Sequence, residues 1–267
     1  MFRRTLLAAL FPPPKPKIVF VTGDDEYRSE YTMPALAALL EKHHNVATQV
    51  LYARPRPQVN NNIEGLEALK DADLAVFFLR WRELPEDQLQ AILAYEKSGR
   101  PMAGFRTATH SLKYPKGSVH EVENDAFSLR AFGAKWTRHH GHLSTTRSER
   151  ANDHEVLNGV NPNLTLPSWL YSVNPLHGPC IPLLTGHAIN PQNGRDDGPQ
   201  PLAWVKQEGK RRVFFTTAGH PEDFRNPDFR RLALNGILWA LGRKIPAKGA
   251  NADWPAPYQP PASGFIK

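Results

Sequence analysis

The chain has 267 residues, 40% hydrophobic and 22% charged, with a single cysteine. No apolar stretch nears the roughly 20 residues of a spanning helix, which excludes an integral membrane segment. One thiol likewise excludes an internal disulfide framework or a Cys-rich zinc site. The net charge of +7 resides in the ends: residues 1–17 carry four basic side chains and no acid, residues 243–267 four against one, and residues 18–242 balance 25 against 25. A nucleic-acid binder concentrates its excess on the folded surface, so that class of partner is not expected.

Residues 1–16 begin Met1-Phe2-Arg3-Arg4, continue through a short apolar run to Phe11, and end in a proline cluster. Arginines before an apolar run resemble the start of a signal peptide, but no Ala-x-Ala site follows. A proline-stiffened leader is the other reading, so export and a cytoplasmic location both stay open. From Lys17 strand and helix alternate. Ile18-Val19-Phe20-Val21 is a continuous apolar run, as in a strand buried on both faces. Met33, Leu36, Ala37 and Leu40 have helical spacing, Val46 to Leu51 is a second strand, and Ile63, Leu66 and Leu69 mark a short helix. Asp73 to Leu79 is the strongest strand. Pro85 to Lys97 is a helix with proline at its start and Gly99 beyond its end. Pro101 to Gly104 is a fourth strand.

The stretch 105–165 reads as irregular and histidine-rich. Strands follow near Ser168–Val173, Leu202–Lys206 and Val213–Thr217, with a closing helix from Phe229 to Leu241. Residues 246–267 hold five prolines and read as a tail without regular structure. Alternation of this kind implies an α/β fold, a doubly wound, mostly parallel sheet with helices on both faces. One domain over 17–245 is the simplest division.

Ligands of such sheets bind beyond the carboxyl ends of the strands. That rule selects Thr22 to Tyr27, with Glu26 and Tyr27; Arg80-Trp81-Arg82; Phe105 to His110; and Thr217 to Glu222. These ends should meet over one crevice. Gly104-Phe105-Arg106-Thr107-Ala108 occupies the place of a nucleophile elbow. Arg106 cannot attack a carbonyl, but its five donors can hold a carboxylate, phosphate or hydroxyl. The alternative is a salt bridge to Asp24, Asp25 or Glu26. Thr107 and Thr109 read as hydrogen-bond donors. Trp81 and Trp136 offer flat faces for a sugar ring or, equally, core packing.

These segments, with Trp136-Thr137-Arg138-His139-His140-Gly141-His142, Arg212 to Thr217 and Arg230 to Gly242, resemble the trehalose-utilisation ThuA-like family. That family lies within the class I glutamine amidotransferase-like, flavodoxin-like fold. The resemblance runs from Lys17 to about Ile245 and implies carbohydrate metabolism with a small carbohydrate as partner. Glutaminases of the fold use an elbow cysteine and a His-x-Glu pair. His220-Pro221-Glu222 looks like the pair, but Arg106 stands where the thiol should be, so acyl-enzyme chemistry is not expected.

The expected chemistry is therefore acid–base work by His110 and His220, with Glu222 orienting or acting, on a glycoside or oxidised sugar. Arg80, Arg82 and Arg106 would contact substrate, with Glu26, Tyr27, Thr107, Thr109, Trp81 and Trp136 around it. Two other functions stay open: a sugar-binding or regulatory module without catalysis, and a metal-dependent hydrolase on His139, His140 and His142. No cofactor is certain. A divalent metal and a homo-oligomer both stay open.

Overall fold

The third strand, β3 (Leu74–Leu79), is buried along its whole length. Its alternate residues feed two separate apolar layers. Leu74, Val76 and Phe78 join one cluster, while Ala75, Phe77 and Leu79 join the other. Such a strand must be covered on both sides, which dictates a central sheet between helices. The structure is a computed structural model and describes residues 13–140 and 144–265.

The chain runs β1 (Lys17–Gly23), α1 (Ser29–His44), β2 (Ala47–Leu51), a 3-10 turn (Leu66–Asp71), β3, α2 (Glu86–Lys97), β4 (Met102–Phe105) and a second 3-10 turn (Arg106–His110). Then come α3 (Glu123–Phe132), β5 (Arg138–His139), β6 (Thr145–Arg150), β7 (Thr165–Leu166) and β8 (Tyr171–Ser172). The chain closes through β9 (Cys180–Ile189), β10 (Asp196–Glu208), β11 (Arg211–Thr216), a 3-10 turn (Pro221–Arg225) and α4 (Pro227–Ala240). The main sheet has the order β2-β1-β3-β4-β11-β10-β9-β6-β7. The first five strands are mutually parallel, and each later neighbour is antiparallel. Because the chain leaves β1 for β2 and returns to β3 on the other side, the sheet has its switch point at the carboxyl ends of β1 and β3. A crevice forms where such a reversal occurs.

The apolar runs at 18–21 and 73–79 are strands, and the proline-started segment is α2. The stretch 105–165 is more ordered than it reads. It contains α3, which buries Phe127, Ala131 and Phe132 on one face and ends at Gly133 in the left-handed region. Cys180, which reads as a loop residue, opens β9. Its alternation of half-buried and buried positions belongs to the antiparallel extension, where one face is wetter. Among the described residues no helix is long and apolar enough to cross a membrane.

Gly104 sets the approach of β4 to the turn at its carboxyl end. A Cβ there would lie 2.5 Å from the Phe215 ring and 2.8 Å from that of Phe132. Phe215 cannot retreat, because it stacks on Trp204 at 4.6 Å. Overpacking of this kind costs about 1–3 kcal/mol. Gly104→Ala is accordingly expected to lower the urea midpoint by that equivalent, and an unchanged midpoint would contradict the packing described.

Candidate functional site

The turn after β1 is built on Asp24. Its buried carboxylate accepts from the amides of Glu26 (2.8 Å), Tyr27 (2.5 Å) and Ser29 (2.9 Å). That closes the turn into α1 and leaves the neighbouring acids free to meet the end of β3. Arg80 Nη1 lies 3.0 Å from Asp25 Oδ1, and its Nε lies 3.2 Å from Glu26 Oε2. Its guanidinium also stacks over Trp81 at 3.7 Å. Arg82 is committed to the backbone, donating to the carbonyls of Arg80 (2.6 Å) and Val59 (2.8 Å). A cavity of about 470 Å³ opens at this switch point, with Arg80, Trp81, Arg82 and Lys113 in its wall.

Beyond β4 the chain turns at Arg106, whose φ is +43°. The opposing Gly219 makes this possible, since a Cβ there would sit 3.3 Å from Arg106 Cβ. The Arg106 side chain is fully buried. Nη1 donates to the carbonyls of Thr217 (3.1 Å) and Trp169 (3.3 Å). The rings of Tyr27 and Tyr171 lie 4.0 and 4.6 Å from its Cζ, one guanidinium against two phenols. Among the described residues no carboxylate comes within 4.0 Å of it, so the salt bridge considered from sequence is taken by Arg80 instead.

His110 ends the turn inside an aromatic wall. Trp136, Trp81 and Tyr171 stand 5.0, 5.5 and 5.8 Å from its ring. Thr109 Oγ1 donates to the carbonyl of Arg106 and lies 3.2 Å from His110 Nδ1. One hydroxyl proton cannot serve both contacts. Donation to the carbonyl leaves the oxygen to accept from Nδ1–H, which puts the lone pair on Nε2. Burial, with the charges of Arg80 and Arg106 added, pushes His110 well below the ordinary imidazole value. It is a neutral base at pH 7.

His220 is differently disposed. Its Nδ1 accepts from the Glu222 amide at 3.1 Å, so Nε2 carries the proton and donates to Ser263 Oγ at 2.7 Å. Burial and Arg106 lower it to about 4, Glu222 opposing. The Glu222 carboxylate turns away to Arg225, 2.6 Å off. The His220 and Tyr27 rings are 6.2 Å apart. Tyr27 therefore links Arg106 to His220, and Tyr171 links Arg106 to His110. The strand ends meet as one cluster.

Among the described residues the buried Thr107 hydroxyl has no partner, and the same holds for Trp136 Nε1. In the histidine run, neighbours on β5 and just beyond it diverge. His139 packs on Trp169 at 5.5 Å, whereas His140 reaches Ser172 Oγ at 3.2 Å and Asp197 at 3.8 Å. His142 lies outside the described residues. Among those described, no three His, Cys, Asp or Glu side chains stand together as metal ligands.

Two residues of the cluster are not evident from sequence. Asp223, which reads as a surface helix-start charge, is wholly buried. It accepts from the amides of Gly219 (2.8 Å), His220 (2.9 Å) and Ser168 (3.1 Å), and from the Ser168 hydroxyl. Its only sequence signal is its place three after His220, the N3 position of a cap. Tyr171 carries no local signal, because its neighbours arrive from β1 and β4. Trp169, which reads as core, is half-buried at the same wall.

Neutral buried imidazoles set the response to acid. The free side chain titrates near 6.5 and the folded His220 near 4, with His110 lower than its free value as well. Between these pH values the unfolded chain binds more protons, so stability is whole above about 6.5 and falls as pH drops. Glu30, raised to about 7 by burial, works in the opposite sense. Thermal unfolding should show Tm decreasing from pH 6.5 to 4, with a flatter profile in His220→Gln. Because Glu30 opposes the histidines, the difference between the two profiles is the test: a His220→Gln profile as steep as the wild type's would contradict a buried, neutral His220.

The ThuA family model, described as trehalose utilisation, matches residues 17–240. Among solved structures, a ThuA-like protein from Parabacteroides merdae is 17% identical at a TM-score of 0.55, covering 90% of this chain and 96% of that one. Cytoplasmic Protein STM3548 from Salmonella typhimurium is 13% identical at 0.53, covering 84% and 98%. The mmIFT52 N-terminal domain is 13% identical at 0.52, covering 86% and 99%. At such identities the likeness is one of fold. No curated protein matches. The chain belongs to the ThuA family, which is linked to trehalose utilisation and has the class I glutamine amidotransferase-like fold.

Proposed function

We propose that this protein acts on a small carbohydrate, a glycoside or an oxidised sugar, by proton transfer at His110. The observation that supports it is the bare Nε2 of a neutral histidine, set in a wall of Trp81, Trp136 and Tyr171. Indole faces suit the apolar faces of a sugar ring. Nε2 removes a proton from the carbon beside a carbonyl, and the electron pair moves onto the carbonyl oxygen. The positive potential of Arg80 and Arg106, the same that disfavours imidazolium, favours that oxyanion. Return of the proton to the former carbonyl carbon, as the adjacent hydroxyl proton passes to the oxyanion, gives isomerisation; collapse of the oxyanion with departure of a β-substituent, which takes up the proton from His110, gives elimination.

His220 holds a supporting place in this scheme, since both its ring nitrogens are engaged. It becomes a second proton carrier only when Ser263 leaves it. Acyl transfer is not part of the scheme. Arg106 fills the elbow, and burial pushes the Cys180 thiol up to about 11, away from any thiolate role at neutral pH.

A keto-glucoside incubated with the protein in D2O tests the proposal by NMR. Deuterium should enter beside the carbonyl, and His110→Ala should slow exchange about 100- to 10,000-fold, the usual worth of a general base. Saturable binding with no exchange and no new product would leave a sugar receptor instead. Full turnover in both His110→Ala and His220→Ala would remove histidine chemistry altogether.

A further inference from the structure

The Arg106 guanidinium uses one of its two edges. Nη1 is spent on two carbonyls, but Nε and Nη2 are buried with no hydrogen-bond partner among the described residues. These two nitrogens form the side-on fork of the group, with parallel N–H bonds spaced to match the two oxygens of a carboxylate. The Tyr27 and Tyr171 rings pack against the guanidinium, 4.0 and 4.6 Å from its Cζ. Burial raises both phenols despite the adjacent guanidinium, so they stay protonated and supply no negative charge. The buried Asp223 carboxylate is occupied by the amides of Gly219 and His220 in its own turn and by the Ser168 amide and hydroxyl.

Asp223 acts on Arg106 from a distance, but among the described residues no carboxylate lies within 4.0 Å of the guanidinium, and a buried charge without a close partner costs several kcal/mol. We propose that Arg106 is the receptor for a ligand carboxylate, bound side-on by Nε–H and Nη2–H, and that the carbohydrate taken here is a sugar acid. The sugar part rests on the function proposed above. The carboxylate part rests on the unpaired fork alone. Thr107 Oγ1, buried and without a partner among the described residues, is a further donor on the next residue of the chain. Entry requires the Tyr27 wall to move. That wall is held from outside, since Gly264 N donates to the carbonyl of Glu26 at 2.8 Å.

Calorimetric titration of the full chain with glucuronate and with glucuronamide separates charge from shape. Glucuronate should bind about 10- to 100-fold more tightly, the worth of charged hydrogen bonds. Arg106→Lys, which keeps the charge but loses the fork, should forfeit most of that ratio while its thermal unfolding stays cooperative. Should that variant fail to fold, the wild-type acid-to-amide ratio decides alone. Equal affinity for acid and amide, no binding of glucuronate, wild-type affinity in a folded Arg106→Lys, or tighter binding of inorganic phosphate would each overturn the assignment. Turnover of a neutral keto-glucoside with no gain from a carboxylate would sink this inference and leave the His110 reading intact. Arg106-dependent binding of 2-ketobutyrate, with no sugar bound, would keep the carboxylate receptor and sink the carbohydrate reading.

Discussion

A guanidinium buried at positive φ immediately after a central strand is the constraint around which this site is arranged. A non-glycine residue in the left-handed region costs about 1–2 kcal/mol, and an unpaired buried charge costs more. Such a conformation persists only where its surroundings over-determine it. Here they do so from four directions. Gly104 and Gly219 leave room for the turn, Thr109 ties down the Arg106 carbonyl, and two carbonyls hold Nη1. Asp223 then fixes Gly219 and His220 by collecting their amides. The elbow geometry of the fold is therefore kept while the chemistry at its apex is exchanged, a cation standing where a nucleophile would act.

The electrostatic consequence is a division of labour among the acids. Asp25 and Glu26 are spent on Arg80, Asp24 and Asp223 on backbone amides, and Glu222 on Arg225. Among the described residues none of them comes within 4.0 Å of Arg106, and Asp223 acts on it only at longer range. Burial first, and the charges of Arg80 and Arg106 in addition, keep the His110 imidazole neutral and its Nε2 available. The two guanidinium charges favour negative charge that arrives with a ligand or develops on one. A compensating carboxylate beside Arg106 would weaken that preference.

The parallel half of the fold was legible because its strands are buried on both faces and leave unbroken apolar runs, as at 18–21 and 74–79. The site was legible as far as a strand-end rule can carry, which brought out Arg80, Trp81, Arg106, His110 and His220. The antiparallel half was harder. In β9, Thr185, His187 and Ile189 alternate with buried Leu184, Gly186 and Ala188, and prolines at 179 and 182 mask the pattern. α3 was lost because only Phe127, Ala131 and Phe132 mark its inner face among polar neighbours. Asp223 shows a different limit. Whether a carboxylate is solvated or buried depends on which amides surround it, and here they come from Ser168 and Gly219, far apart in sequence.

The proline-rich end of the chain belongs to the site in a way composition does not reveal. It has no regular structure, yet Tyr258 donates to the carbonyl of Pro221 and stacks on Trp254 at 4.5 Å. Further on, Ser263 meets His220, the Ala262 carbonyl accepts from Arg28, and the Phe265 ring lies 4.9 Å from the Arg80 guanidinium. A strand in the sheet shares a ladder of bonds and opens only with its neighbours. This segment is held by single, separate contacts, each of which can break without disturbing the sheet. Segments of that kind belong to the low-stability end of a fold. Tyr27 and His220, beside the buried guanidinium, are thus overlain by residues 262–265, whose ties are few and separate, and this is the route of entry for the carboxylate we propose.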